Sequence, residues 1–195
     1  MNSTNKLITV LILTSLSSAC SLGGNTRPPQ FFVLDTAIEK AIRNNSSTLE
    51  IGIGPISIPG YINRPQIVTK TNSAEVRFDE FARWAEPIDA MFTRTLAQNI
   101  KTLINSQSIY AHPWPNLVSL DYRISAKVIK FENDIQGDAL LIVHWGVVDE
   151  SDTTDYKVIH SEFTAKSIST SYSARVAALN DTLAQFAEEI VNNIN

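Results

Sequence analysis

The sequence has a single cysteine, few glycines and prolines, and no surplus of positive charge. One cysteine among 195 residues excludes an intramolecular disulfide framework. Seven glycines, eight prolines and 44% hydrophobic residues exclude a collagen-like or disordered chain. Twenty acidic against 16 basic side chains give a formal charge of −4, which argues against a nucleic-acid-binding protein. The length suits one globular domain with a substantial core.

The sequence also lacks the motifs of the common enzyme classes. It contains no G-x-S-x-G, no P-loop and no H-E-x-x-H segment. Its three histidines are predicted to lie apart: His112 in a Pro/Trp loop, His144 in an apolar strand and His160 on a polar strand face. Of these, His144 is expected to be a hydrogen-bonded core residue. We therefore expect no enzymatic activity, with no catalytic residue, no metal site and no cofactor.

The apolar run closest to the N-terminus leads directly to the single cysteine. Lys6 precedes the ten-residue run 7–16, and the small residues 17–19 stand before Cys20. Ten residues are too few to span a bilayer, which takes about 20, but they fit the hydrophobic region of a secretory signal. Small residues before a lone cysteine resemble a bacterial lipoprotein signal, in which the peptide is removed and the cysteine is acylated. The alternative is an ordinary signal peptide followed by a chance cysteine.

Cleavage before Cys20 would give a signal peptide over 1–19, a lipid anchor and flexible spacer over 20–30, and a single domain over 31–195. The spacer interpretation rests on the Gly-Gly and Pro-Pro pairs of residues 21–30. The lipoprotein resemblance implies several fatty acyl chains, such as palmitate, on Cys20. Each buried methylene contributes about 0.8 kcal/mol, so two or more chains anchor a protein stably. Ser21 in place of Asp implies sorting to the outer membrane.

Hydrophobic periodicity in the remaining chain predicts an α+β fold, with a mixed, largely antiparallel sheet and two main helices packed against it. Period-two alternation or continuous apolar character predicts strands at 31–34, from 49 onwards, 65–70, 75–78, 120–131, 139–148 and 156–166. Strand 139–148 is expected to be central and covered on both faces, and a bulge is expected near Val128. Pro55 restricts its strand to an edge or a bulged position. Apolar stripes predict helices from Pro87 to about 105 and from about 170 to 193.

Two patches are not explained by folding alone. Pro59–Ile67 and Phe81–Pro87 each combine aromatic, arginine and proline residues. Aromatic and arginine side chains are enriched among interface anchors. For Trp84, packing against the helix that follows it is an equally good interpretation.

The same patches carry a resemblance to a known family. The run IGIGPISIPGYINRPQIVTKTNSAEVRFDEFARWAEPID, followed by a helix and an HPWP loop, resembles the ABC-type transport auxiliary lipoprotein family over nearly the whole mature chain. Its R-P-Q-I and W-A-E-P segments are the most specific. The chain departs from the usual lipoprotein signal at Ser17, where an aliphatic residue is common. The partner-binding candidates are Tyr61, Arg64, Pro65, Gln66, Ile67, Arg83, Trp84, Glu86 and Trp114, with Cys20 as the lipidation site.

The resemblance implies an outer-membrane-anchored periplasmic subunit of an MCE-type system that moves lipids between two membranes. Its partners would be an MCE-domain tunnel protein and an inner-membrane transport component. It would dock the end of the tunnel at the outer membrane and support envelope integrity, and a homo-oligomer is compatible with this role. Two alternatives stay open at this point: a carrier that itself binds phospholipid or another apolar ligand, and a purely structural lipoprotein.

The anchor generates the first prediction. Replacing Cys20 with Ser removes the acylation site, so we expect the variant to leave the outer-membrane fraction while the wild type takes up labelled fatty acid. Cell fractionation and metabolic labelling measure both. A variant that stays in the membrane, together with an unlabelled wild type, would contradict the anchor.

Overall fold

The computed structural model describes residues 27–39, 48–152 and 156–194. Within them lie eight strands and two helices. The signal peptide 1–19, Cys20 and most of the spacer 20–30 fall outside the described residues, so the statements about them stay predictions.

Four strands precede the first helix, and four more strands lie between the first helix and the second. The strands are β1 (Gln30–Phe32), β2 (Ile51–Ser57), β3 (Gln66–Lys70), β4 (Val76–Trp84), β5 (Ile109–Ala111), β6 (Tyr122–Asn133), β7 (Ala139–Asp149) and β8 (Ile159–Ala165). The helices are α1 (Ile88–Leu103), between β4 and β5, and α2 (Tyr172–Asn193), after β8.

The twelve-residue strand β6 lies at the centre of the sheet. One edge of β6 pairs antiparallel with β7, which pairs antiparallel with β8. The other edge of β6 pairs in parallel with two strands. Its first part pairs with β2, where Tyr122 faces Ile51, and its last residue pairs with β3, where Asn133 faces Thr69. Outside these lie β5, beside β2, and the pair β4 and β1, beside β3.

The predicted α+β class is confirmed. The sheet mixes parallel and antiparallel pairs, and its two longest ladders, β6–β7 and β7–β8, are antiparallel. Helix α1 packs on β2 and β5, α2 packs on β7 and β8, and the helices pack on each other. Aromatic side chains fill the space between: the rings of Trp145 and Phe186 lie 5.6 Å apart, and those of Phe92 and Phe131 lie 5.2 Å apart. No helix among the described residues is long and apolar enough to cross a membrane.

Both predicted strand irregularities involve bulges. The β6–β7 register shifts between Val128 and Lys130, which confirms the expected bulge. The β2–β6 register shifts between Ile53 and Ile56, around Pro55. Strand β5 pairs with β2 over Ile51–Ile53 only, so Pro55 lies beyond that pairing and within the bulge, as expected for a proline in a strand.

Strand β7 is not covered on both faces, which corrects one prediction. Its residues alternate between buried and partly exposed, so Trp145 is 1% exposed while Leu140 and Ile142 are half-buried. The expected core residue His144 is exposed instead, and its ring lies 4.9 Å from that of His160. The physical reason is that both helices cover the same face of an antiparallel sheet and leave the other face to solvent.

Strand β4 is longer than predicted. Its expected end was residue 78, but it continues to Trp84. The β3–β4 register shifts between Gln66 and Val68, and in this part of β4 the Asp79 carboxylate accepts hydrogen bonds from the backbone N–H of Phe81 at 2.8 Å and of Ala82 at 3.2 Å. Beyond the shift, Ala82 and Trp84 belong to the core. The chain therefore reaches α1 directly from the sheet.

A tyrosine at the start of α2 joins this helix to β4. The hydroxyl of Tyr172 donates a hydrogen bond of 2.6 Å to the Asp79 carboxylate, and its ring lies 6.0 Å from that of Phe32. Partial burial, followed by this bond and the charge of Asp79, raises the pKa of Tyr172 to about 12 from 10.0. Burial also raises the pKa of Asp79, but the hydrogen bonds from Tyr172, Phe81 and Ala82 outweigh it and lower that pKa overall.

This contact predicts a pH-dependent stability difference. Tyr172→Phe removes one hydrogen bond to a carboxylate, so we expect a loss of about 1 kcal/mol in the free energy of unfolding at neutral pH. Because the pKa of Tyr172 is raised on folding, its contribution is complete below pH 10 and is lost as the pH rises to about 12. Urea unfolding of both proteins across this range should show their difference shrinking. A difference that stays constant to pH 12 would contradict the assignment.

Candidate functional site

The two patches singled out in the sequence lie side by side in the structure. The backbone N–H of Trp84 donates to the carbonyl of Pro65 at 2.7 Å, and Gln66 faces Arg83 across the β3–β4 pair. Between the patches runs a surface groove of about 310 Å³, which we call the proline groove. It is lined by Asn63, Arg64, Pro65, Trp84, Ala85, Glu86 and Pro87.

The walls of the proline groove are fixed by backbone hydrogen bonds. On one side, the N–H groups of Ile62 and Asn63 both donate to the carbonyl of Pro59 at 2.9 Å and close a turn. On the other side, Ala85 donates to the carbonyl of Phe32 at 2.9 Å, which ties the end of β4 to β1. Pro87, predicted as the first helical residue, occupies the N-cap position, and α1 begins one residue later at Ile88. A groove between two such walls is preformed.

Charged side chains stand at the rim of the groove. The guanidinium carbon of Arg64 lies 3.7 Å from the centroid of the Phe78 ring, and its Nε donates to Gln66 Oε1 at 3.3 Å. This stacking holds the cation flat against the surface. At the opposite end, Glu86 pairs with Arg94 at 2.6 Å, in an exposed position where an ion pair contributes little to stability. The groove therefore has an apolar floor of proline and tryptophan between a basic and an acidic side chain.

Arg83 precedes Trp84 in β4 but does not line the groove. In the β1–β4 register it faces Phe31, whose side chain is 63% exposed. Its Nε is shielded from solvent and has no hydrogen-bond partner among the described residues.

Two of the candidate residues are too buried to contact a partner by their side chains alone. Ile67 is 1% exposed and Trp84 is 6% exposed, and both belong to the core cluster. The packing interpretation of Trp84 therefore describes most of its ring, although one part forms the floor of the groove. Ile67 lies beneath the surface and does not line the groove.

Tyr61 lies outside the groove and is held by a buried carboxylate. Its hydroxyl donates a hydrogen bond of 2.9 Å to Glu132, which is 4% exposed, while the Tyr61 side chain itself is 36% exposed. Burial raises the pKa of Tyr61 well above 10.0, and the hydrogen bond and charge of Glu132 raise it further. The Tyr61 ring is therefore a fixed, partly exposed surface.

Trp114 lies in a different part of the surface. The HPWP loop folds over β2, where a Cβ on Gly52 would lie 3.1 Å from the indole, and the ring of His112 stands edge-on at 5.2 Å. Tyr110, two residues before His112, lies in β5. A cavity of about 760 Å³ next to Trp114 is lined by Arg123, Glu150 and other polar residues, and it shares no residue with the proline groove. The structure therefore does not bring Trp114 to the other candidates.

Sequence reasoning missed two surface features. Phe78 is half-buried and supports Arg64, whereas the alternation of Val76 and Phe78 with Arg77 would have predicted it on the core face. The cross-strand pair of His144 and His160 was missed because the apolar run around His144 predicted a strand buried on both faces, whereas one face is open to solvent. Within the described ranges, no three His, Cys, Asp or Glu side chains group together to hold a metal ion.

Comparison with known proteins identifies the family. The sequence pattern of one family, described as ABC-type transport auxiliary lipoprotein component, matches residues 32–191. The chain belongs to this family. The match covers both walls of the proline groove and the HPWP loop, so membership supports association with a transport system and attachment to a membrane of the cell envelope.

Solved structures share the fold of this auxiliary lipoprotein. A crystal structure of an uncharacterised protein matches with a TM-score of 0.65 and 17% identity, over 87% of this chain and all of the other. A protein from Xanthomonas campestris matches with a TM-score of 0.58 and 22% identity, over 85% of this chain and 91% of the other. At these identities the similarity concerns the fold alone. Among curated proteins, none matches this sequence.

Proposed function

We propose that the protein is an outer-membrane-anchored periplasmic subunit of an MCE-type intermembrane lipid transport system. In this role the acylated Cys20 holds the domain at the outer membrane, and the proline groove receives a segment of the tunnel-forming MCE-domain protein. The domain thereby docks the end of the tunnel and supports envelope integrity. Membership of the transport auxiliary lipoprotein family supports a lipid-anchored role in transport, and the proposal makes that role more specific.

The observation that carries the proposal is the meeting of the two patches in one groove. A segment with an apolar side chain could bury it between Pro65 and Pro87, with polar groups directed to Arg64 and Glu86. The volume of about 310 Å³ suits one or two large side chains and is too small for a two-chain phospholipid. Central, preformed pockets flanked by fixed charges are where interface binding energy concentrates.

The position of β1 supports the same role. The spacer leads into β1, which pairs with β4 at the edge of the sheet, and Phe32 in β1 holds Ala85 in the groove wall. A lipid anchor ahead of the spacer would therefore keep the groove near the membrane surface.

The carrier alternative expected an apolar pocket between β7 and the two helices. The side chains that would line such a pocket are packed in the core instead: Trp145, Phe186, Leu183 and Phe92 are at most 1% exposed. The docking role thus has a specific surface, whereas the space that the carrier role expected to be a pocket is filled by core side chains among the described residues.

A substitution in the groove tests the docking proposal. Ala85 is exposed and lines the groove, and only its backbone makes the contact to Phe32, so Ala85→Arg should fill the groove without disturbing the fold. We expect recovery of the MCE-domain protein with the tagged lipoprotein to fall about tenfold or more, as for a central interface position.

The matched control is Ala177→Arg, which adds the same side chain at an exposed position of α2 outside the groove. This variant should recover the MCE-domain protein at the wild-type level. Equal recovery by both variants would exclude the groove as the docking site, and absence of the MCE-domain protein from the wild-type preparation would overturn the partner assignment.

A further inference from the structure

Two adjoining loops at one end of the sheet each expose an isoleucine. Ile135 lies in the turn between β6 and β7 and is 51% exposed, and Ile168 lies between β8 and α2 and is 96% exposed. Single apolar side chains on a protein surface are ordinary. Two on neighbouring loops at the same end form a patch that needs an explanation.

A buried arginine fixes both loops. Arg175, on α2, is 4% exposed, and it donates from Nη2 to the carbonyl of Ile135 at 2.9 Å and from Nε to the carbonyl of Thr170 at 3.0 Å. It also donates to the carbonyl of Asp134. One side chain therefore ties the turn of Ile135 to the segment that follows Ile168.

Direct contacts between the two loops complete the arrangement. The Asp138 carboxylate accepts from the ammonium of Lys166 and from the backbone N–H of Ser167 at 3.0 Å. Gly137 adopts φ +100°, and a Cβ there would lie 2.9 Å from the carbonyl oxygen of Ser169. The isoleucines thus project from a packed platform, so little conformational entropy is lost when they are buried by another surface.

The chain enters the domain at this same end. Arg27, Pro28 and Gln30 line a small cavity together with Tyr172, the first residue of α2. Ile168 precedes Tyr172 by four residues, a span of at most about 14 Å, and Cys20 precedes Arg27 by seven residues, a span of at most about 25 Å. A lipid anchor on Cys20 therefore keeps the isoleucine loops within reach of the bilayer.

We propose that Ile135 and Ile168 insert into the lipid–water interface of the membrane that holds the anchor, and so orient the domain on it. This inference rests on the lipid anchor of the proposed function. Rigid apolar tips beside an acyl anchor gain free energy by leaving water at the headgroup level. Lys166, whose side chain is 90% exposed, would lie among the headgroups. With this end on the membrane, the opposite end of β6 points into the periplasm.

That opposite end supplies a matched control. Leu117 is 98% exposed and lies ahead of the start of β6, whereas Ile135 follows its end. Twelve residues of strand separate the two ends by about 36–40 Å, so both positions cannot touch a flat bilayer when β6 stands upright.

The test uses the full lipidated chain in vesicles of phosphatidylethanolamine with a minor fraction of phosphatidylglycerol. Ile135→Cys, Ile168→Cys and Leu117→Cys each introduce a thiol for an environment-sensitive fluorophore, because the Cys20 sulfur is consumed by acylation. We expect the labels at 135 and 168 to shift to the blue and to lose about half of their emission to nitroxide-labelled lipid. The label at 117 should show neither change.

Two outcomes would overturn the inference in different ways. If the protein floats with the vesicles but the labels at 135 and 168 are not quenched, or the label at 117 is quenched instead, the anchor stands and the isoleucine contact is wrong. If the wild-type chain does not float with the vesicles at all, the anchor is wrong, and the inference falls with it.

Discussion

The central strand β6 is the constraint on which the rest of the structure depends. It is paired along both edges, with β7 on one side and β2 followed by β3 on the other. Its inward side chains, among them Ile124 and Phe131, are at most 2% exposed and face the helices. Because β2 and β3 share one edge of β6, the chain between them has to leave the sheet after Ser57 and return at Gln66. That excursion forms one wall of the proline groove.

The two ends of β6 also divide the surface of the molecule by chemistry. Beyond its last residue, Asn133, lie the isoleucine loops, which Arg175 holds rigid; Asn133 itself donates to the carbonyls of Gly137 and Arg175 at 2.9 and 3.1 Å. Before its first residue lies the HPWP loop. The proline groove lies between these two ends of the sheet, beside β1, the strand that follows the spacer. A protein built in this way can face a membrane with one end and a partner with its flank.

The sequence predicted the α+β class, both helices and the bulge in β6, because period and proline position are local signals. It also predicted the two patches, but not that they meet, since the β3–β4 register that places Gln66 opposite Arg83 is a long-range property. The open face of β7 was not predicted, because a nearly continuous apolar run does not show whether one face of a strand is covered or both. For this reason His144, which is exposed, was predicted to be a core residue. Trp114 was a candidate because of the family resemblance. In the structure it lines a different cavity and does not contribute to the proline groove.

The central claim, that the proline groove receives the MCE-domain protein, is tested most directly by crosslinking in cells. A photo-reactive amino acid at Asn63, an exposed residue of the groove, would be compared with one at Ala177, an exposed residue of α2 outside it. The account predicts a crosslink to the MCE-domain protein from position 63 and none from position 177. Crosslinks to that protein from both positions alike, or from neither, would contradict it.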